Sequence, residues 1–432
     1  MIEQEDVTTQ TNPAAMRAIT MLLTPWPARR ATLFVLLGGL IVFVWLARSD
    51  ALLHAEWRVD EGQRIAESYA LRLVEEGEFG HPDWFRYPTD SSHPQMSKYY
   101  FGLALQLAGV ELPRDLALPR YYESGGIART GWAPPPHLRS IYEPMLVPAR
   151  RAALLCNVIS AMVVVWLLLR WCGAGAALLA GVVFARHYLM ATYVSYARSD
   201  ALQTCAMTLT LLPLASLWRN SRSRGAYAAA AVAGVLAAIC FQTRLNGLLC
   251  LGAAGLVLIV LALRDRDVRP LVLAAIVVFV CVAVSLVSNP FYWAQPSRVD
   301  GLPVIYQRHE PLALRVMTRF HAQMQELRML MKEFGPSTLR SLAERGRFTA
   351  RVLFSGVAGK VILGGILAGA LAAFFRRPPH AVFAWLWGLS ALVVFALWIP
   401  LAWDPYVLLI FPSIVLMAAV GWSLLAASFA KR

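Results

Sequence analysis

Charge is what this chain of 432 residues has least of: 15% of its residues are charged while 58% are hydrophobic, and its mean hydropathy is +0.53. That composition excludes an ordinary soluble globular domain and points to a membrane protein. The polar stretches lack cysteine. Cys156, Cys172, Cys205, Cys240, Cys250 and Cys281 all lie inside or at the ends of apolar runs, so no disulfide framework is implied and the thiols read as small packing groups. Metal-ligand spacing is missing too, since His54, His81 and His93 form no recognisable pattern. No small-residue cleavage site follows the first apolar run, which makes it an uncleaved anchor. There is no internal repeat, and ionisable residues in mid-run are few, with Lys360 the clearest. Both absences count against a transporter.

What is there is apolar sequence in span-sized pieces. A membrane span needs roughly 20 mostly apolar residues, and ten candidates occur, at 31–47, 152–170, 174–192, 200–218, 226–242, 246–263, 270–288, 352–374, 380–398 and 407–426. The net charge of +14 is distributed between them: Arg29 and Arg30, Arg170, Arg219, Arg222 and Arg224, Arg264, Arg266 and Arg269, Arg376 and Arg377, and Lys431 and Arg432 mark every second connection and both ends. By the positive-inside rule those sites face the cytoplasm. The basic balance is therefore a topology signal and not a nucleic-acid footprint. The expected organisation is a cytoplasmic tail over 1–30 and one membrane domain over 31–432, with long outer loops at 48–151 and 289–351.

The outer loops hold most of the mass outside the spans. Ile65, Tyr69 and Leu73 recur at helical spacing, with Arg64, Glu67 and Arg72 off that stripe, which predicts a short amphipathic helix lying on the membrane. "SKYYFGLALQLAGV" at 97–110 is too short to span and predicts a second juxtamembrane helix. From 111 to 148 the chain is proline-rich, with Pro134, Pro135 and Pro136 in a row, and reads as a loop. In the second outer segment Met317, Phe320, Met324, Leu327, Met331 and Phe334 share a helix face, Pro336 ends it, and Ser337 is placed to cap a further helix through 338–346.

Chemistry needs ionisable groups, and the outer side offers a few. Asp60 and Glu61 follow the first span, and Asp200 stands at the outer mouth of the fourth, just after Arg198. Two acidic sites at one membrane face can divide the work of accepting a proton and positioning an acceptor or a cation. Arg58, Arg86, Lys98 and Arg244 fall on the same side, and such cations can hold an anionic substrate and neutralise a phosphate leaving group.

These residues sit in segments that resemble the GT-C membrane glycosyltransferases, in the branch containing protein O-mannosyltransferases and lipid A aminoarabinose transferases. "WRVDEGQRIAESYALRLVEEGEFGHPDWFRYP" is similar to that branch's first outer loop, with its acid pair and later aromatic-Tyr-Pro stretch, and "KYYFGLALQLAGV" resembles its juxtamembrane helix. "SYARSDALQT" resembles the entry to the fourth span with its acid, "GVLAAICFQTRLNGLLCL" the short paired helices, and "NPFYWAQPSRV" and "DPYVLLIFPSIVLMAAVGW" the last outer loop and closing span. The order of these motifs over nearly the whole chain carries the resemblance.

The resemblance implies a sugar donor carried on a polyprenyl phosphate. Asp60 would be the base that draws the proton from an acceptor hydroxyl, with Glu61 assisting or orienting it. Asp200 would be the second acid, and Lys98 the contact to the lipid phosphate. Tyr87, Tyr99 and Tyr406 would line the substrate loops. The chain departs from the pattern where Tyr99, Tyr100 and Phe101 follow Lys98 in place of Pro-Pro-Leu and Ser97 precedes it, so the aminoarabinose branch's acceptor is not implied. Pro405 precedes Tyr406 where many members carry Arg, which leaves Arg244 or Arg86 for phosphate contact. Some GT-C enzymes set a divalent cation between acids while this branch generally does not, so a cofactor is left open.

The expected protein is thus an all-α polytopic membrane glycosyltransferase of GT-C type, with about ten transmembrane helices and juxtamembrane helices in two outer loops. It would sit in the inner membrane with both termini cytoplasmic, and would move a hexosyl or pentosyl group to a lipid, glycan or protein hydroxyl on the periplasmic side, with inversion. The competing readings are a polyprenyl-linked polysaccharide ligase or polymerase, a carrier, and a membrane subunit without activity. A reporter inserted within 111–140 should map outside the cytoplasm; a cytoplasmic signal there would overturn the topology and every site that depends on it.

Overall fold

The computed structural model describes residues 38–39, 56–84 without 59, 95–294 without 127–128 and 130–132, 311–317, 328, 331–332, 335, and 338–430 without 374–377 and 400. Nine of the ten apolar runs fall almost wholly within these residues, and each is mainly helical. All but residues 38–39 of the run at 31–47, and most of the methionine stripe, lie outside the described residues. Among the described residues there is no strand beyond a single bridge between Thr338 and Leu401.

Ahead of the bundle come α1 (Glu61–Ala66), α2 (Tyr69–Glu75), α3 (Met96–Leu107) and α4 (Ala117–Tyr121). The stripe Ile65, Tyr69 and Leu73 is helical but does not lie on the membrane: it is buried in protein, against Phe101, Leu105, Leu138, Tyr142 and Met145 on one side and Trp84, Phe291 and Tyr292 on the other. The chain breaks between α1 and α2, where Arg64 and Glu67 pair at 2.9 Å, both nearly inaccessible. Burial of these off-stripe charges is possible because they neutralise one another.

A larger correction concerns the proline-rich stretch. Helix α5 runs over Pro136–Trp171, 36 residues, so residues 136–148 are helix and not loop. Pro136 takes the first helical position, where the missing N–H costs nothing and its fixed φ suits the helix. Pro144 and Pro148 are carried inside, each at the loss of one backbone hydrogen bond. At 1.5 Å per residue such a helix reaches about 54 Å, far beyond a hydrocarbon core of about 30 Å. Its first turns therefore project beyond the bilayer and provide the post on which α1, α3 and α4 pack.

The bundle continues with α6 (Ala174–Arg186), α7 (Tyr188–Tyr193), α8 (Ser199–Arg219), α9 (Ala226–Phe241), α10 (Leu248–Asp265), α11 (Arg269–Val287), α12 (Leu342–Leu353), α13 (Gly356–Ala373), α14 (Pro379–Trp398) and α15 (Phe411–Phe429). Six described helices, α5, α8, α10, α11, α14 and α15, are long and apolar enough to cross a membrane, and α12 with α13 make a seventh if that bent pair counts as one. Two further apolar helices, α6 and α9, are shorter. His187 interrupts the run at 174–192 by leaving helical geometry between α6 and α7, where its ring accepts from the Leu189 N–H as a cap. The cap expected at Ser337 is instead Ser341, which forms a reciprocal capping box with Glu344 and starts α12. Only Ser341 has an acid three residues on, as that motif requires. Gly356, at φ +66°, lets the chain turn by 115° from α12 into α13.

The ends of the bundle differ in kind. At one, Trp218 Nε1 donates to the Pro379 carbonyl at 2.8 Å, Arg264 Nη2 donates to the Trp218 carbonyl at 3.1 Å, and Arg222 pairs with Asp267 at 3.1 Å. At the other, Met96 N–H donates to the Gln242 carbonyl at 3.0 Å and Tyr99 Oη to the Ser288 carbonyl at 3.0 Å. The basic turns thus share one end, and the candidate site residues share the opposite one.

Helices α13 and α15 meet through glycine. A Cβ on Gly421 would run into the Gly365 carbonyl and the Gly369 Cα, and Gly365 in turn lies against the Ala418 carbonyl. Small residues at such a crossing let backbones approach where lipid offers no hydrophobic drive between helices. Gly421→Val should force the pair apart and cost about 1–3 kcal/mol, read as a lower melting temperature of the detergent-solubilised protein. An unchanged melting temperature would show that the contact carries no stability.

Candidate active site

Asp60 and Glu61 are neighbours with opposite fates. Asp60 adopts φ 66° and ψ −9°, and with Arg266 it is one of two non-glycine residues at positive φ among those described. Asp tolerates that region better than most side chains, yet strain of about 1–3 kcal/mol is held there by the surroundings. The residue precedes α1 without using its side chain as a cap, so the carboxylate stays available, with its side chain 19% exposed. Glu61 is fully buried. Its carboxylate receives Arg150 Nε at 2.9 Å and Nη2 at 2.6 Å, the Arg58 N–H at 2.9 Å and the Ala197 N–H at 3.0 Å. Arg150 Nη2 also donates to the Glu56 carbonyl at 2.8 Å.

Asp200 sits in the first turn of α8 and is held from two sides, with Oδ1 2.9 Å from Arg244 Nη1 and Oδ2 3.1 Å from Arg198 Nε. Arg244 Nε donates to Ser199 Oγ at 2.8 Å, and its guanidinium lies 5.6 Å from the centre of the Tyr406 ring. Arg198 reaches the other way as well, its Nη2 3.5 Å from Asp60 Oδ2. A line of alternating charge therefore runs Asp60, Arg198, Asp200, Arg244. The contacts of Arg198 are off the hydrogen-bond line: its Nε and Nη2, and Asp200 Oδ2, are buried without a hydrogen-bond partner. Such groups are costly unless something meets them. Burial pushes the Tyr406 phenol up, and the adjacent Arg244 guanidinium pulls it down.

Among the sequence candidates, the fold brings together Asp60, Asp200, Arg244 and Tyr406. Lys98 is buried at the start of α3, which the Met96 N–H to Gln242 carbonyl bond pins to the turn carrying Arg244. Arg58 is exposed, its guanidinium 5.7 Å from the Tyr196 ring centre. Tyr99 is spent on the Ser288 carbonyl. Arg86 and Tyr87 lie outside the described residues. Two arginines central to the arrangement were not singled out from sequence. Arg198 adjoins Asp200 in "YARSD", and Arg150 lies in "PARRAALL" just before the second apolar run.

The acids do not fit a metal. No three His, Cys, Asp or Glu side chains converge on a metal position among the described residues, and the Arg198 guanidinium reaches both Asp60 and Asp200, where a cation between those acids would stand.

No family model matches the chain, and no curated protein does. Its fold is similar to that of ArnT from Cupriavidus metallidurans, whose crystal structure was solved bound to undecaprenyl phosphate, with a TM-score of 0.52 at 16% identity over 91% of this chain. The chain spans 60% of that protein's length. At this identity what is shared is the fold, and it is the all-α polytopic membrane architecture that the GT-C resemblance implies.

The two neighbouring acids should separate in stability. Glu61→Gln leaves Arg150 a buried, poorly neutralised charge and should cost about 3–5 kcal/mol. Asp60→Asn keeps a residue suited to positive φ and should be close to neutral. Thermal unfolding of both variants checks this, and equal losses would contradict the division drawn here.

Proposed function

We propose that the chain is an integral membrane glycosyltransferase that moves a sugar from a polyprenyl phosphate to an acceptor hydroxyl, with inversion, on the extracytoplasmic side of the inner membrane. The observation that carries this reading is the Arg198 guanidinium, buried between two acids with Nε and Nη2 unmet by hydrogen bonds. Beside it stand Arg244 and, across the pinned turn, Lys98. Arg198 and Arg244, with Lys98 on the helix pinned to the same turn, are cations that suit a phosphate gathering negative charge as it departs. The similar fold solved with undecaprenyl phosphate supports the same ligand class.

In this mechanism Asp60 takes the proton of the acceptor hydroxyl, whose oxygen attacks the anomeric carbon as the carbon–oxygen bond to phosphate breaks. The phosphate leaves as an anion against Arg198, Arg244 and Lys98, so no general acid is needed. Asp200 is not the base: held by two arginines, it aims them. Glu61 acts as a positioning residue through its bonds to Arg150, Arg58 and Ala197. Membrane placement follows from the basic turns at the end opposite the site.

The test separates donor binding from chemistry. Arg198→Gln and Arg244→Gln in lipid nanodiscs should each weaken undecaprenyl phosphate binding by about tenfold or more, on the order of 1.4 kcal/mol. Asp60→Asn should bind it as the wild type does and transfer no sugar. Full turnover by Asp60→Asn would sink the base assignment, and wild-type affinity in both arginine variants would remove the phosphate site.

A further inference from the structure

Beside Asp60 the structure gathers a second group of side chains that the phosphate chemistry does not use. Tyr193, at the end of α7, meets Tyr196 edge-on with ring centres 5.2 Å apart. Tyr196 carries the Arg58 guanidinium over its ring at 5.7 Å. On the short 3-10 helix Asp404–Leu409, which leads into α15, Tyr406 stacks on Trp403 at 5.7 Å and 30°. Asp404 Oδ2 accepts from Tyr188 Oη at 3.1 Å, and Tyr193 lies within electrostatic reach of Asp404, Arg58 and Arg198.

Two features make this group more than packing. The hydroxyls of Tyr193, Tyr196 and Tyr406 form no hydrogen bond to any described residue, although each ring is half-buried. Asp404 is likewise half-buried, and no described cation ion-pairs with it. An aromatic belt facing lipid would also place tyrosine and tryptophan near the membrane surface. These rings, however, contact one another and the arginines around Asp60 and Asp200.

Their chemistry defines the ligand. Aromatic faces carry partial negative charge and accept the apolar C–H face of a pyranose ring, while phenols and a carboxylate without a cation match its hydroxyls. A few polar groups converging within an apolar lining is how small-ligand sites gain orientation. Position defines which sugar. Residues two apart on a 3-10 helix point in different directions: Tyr406 faces Arg244 and the phosphate cations, while Asp404 faces Tyr188. Inversion requires the attacking hydroxyl to approach opposite the leaving phosphate, and a ring held by Asp404, away from the Arg244 contact of Tyr406, would present its hydroxyl from that side.

We propose that Tyr193, Tyr196, Trp403 and Asp404 form an acceptor subsite that binds a saccharide ring, which makes the acceptor a glycan and not a protein side chain. This rests on the transferase reading above, and it places the acceptor beside Asp60.

The experiment uses the full chain in nanodiscs and titrates methyl glycosides of glucose, galactose, mannose and N-acetylglucosamine, followed by saturation-transfer NMR. At least one glycoside should bind the wild type, both with and without saturating undecaprenyl phosphate. Asp404→Asn and Tyr196→Phe should each weaken that binding by about fivefold, the worth of one hydrogen bond, with undecaprenyl phosphate affinity unchanged. Tyr196→Phe removes only a hydroxyl with no hydrogen-bond partner among the described residues, so it tests the subsite even if Asp404→Asn fails to fold. Absence of binding by the wild type to all four glycosides, equal binding by wild type and Tyr196→Phe, or displacement of the glycoside by undecaprenyl phosphate would each overturn the proposal. Displacement would assign the bound sugar to the donor side. A wild type that binds glycoside but no undecaprenyl phosphate would instead sink the transferase reading and leave the saccharide subsite standing.

Discussion

The site hangs on one buried carboxylate. Glu61 gathers both arms of Arg150 and the backbone N–H groups of Arg58 and Ala197, and so ties the start of α1 and the approach to α8 to the N-terminal part of α5. Removing a carboxylate and a guanidinium from water costs several kcal/mol each, and only a geometry this complete offsets it. In return the two residues flanking these contacts are fixed: Asp60 is held at a left-handed backbone angle beside Glu61, and Arg198 follows Ala197 directly. Asp60 and Arg198, the acid and the cation of the proposed site, thus take their positions from a neighbouring buried pair.

Beyond that pair the site is a contest between charges of opposite sign. Asp200 is enclosed by Arg198 and Arg244, whereas Asp60 meets one guanidinium at a longer distance and keeps contact with water. Equal residue types therefore differ in availability: the enclosed acid is held by two arginines, and the looser one keeps part of its side chain exposed. Arg198 is shared between them and satisfied by neither in hydrogen-bond geometry. The proposed phosphate site rests on that state, since a phosphate would supply the in-line acceptors that the two carboxylates do not.

Much of the architecture was legible because the membrane restricts the options. A chain whose backbone must satisfy its own hydrogen bonds in lipid can only be helical or a closed barrel, and apolar runs separated by basic turns fixed where the helices lie. Legibility failed where a local rule met tertiary support. The prolines at 134–136 read as a loop, yet Pro136 starts the longest described helix, and Pro144 and Pro148 survive inside it because α1, α3 and α4 pack along that part of the helix. The stripe Ile65, Tyr69 and Leu73 had the right period, but periodicity cannot tell whether an apolar face meets lipid or protein.

The sequence by itself determined the class of molecule, the residues that end up at one face of the bundle, and the pairing of acids with nearby cations as the chemistry to look for. The resemblance named Asp60 ahead of Glu61, but only the tertiary structure supplies a physical reason for which acid is free. Asp60 and Glu61 are adjacent carboxylates of nearly identical chemistry, and nothing local distinguishes them. The distinction comes from Arg150, 89 residues beyond Glu61, whose buried charge takes one carboxylate and leaves the other. Long-range electrostatics in a low-dielectric interior depends on where chains meet in space, and a linear sequence does not carry that information.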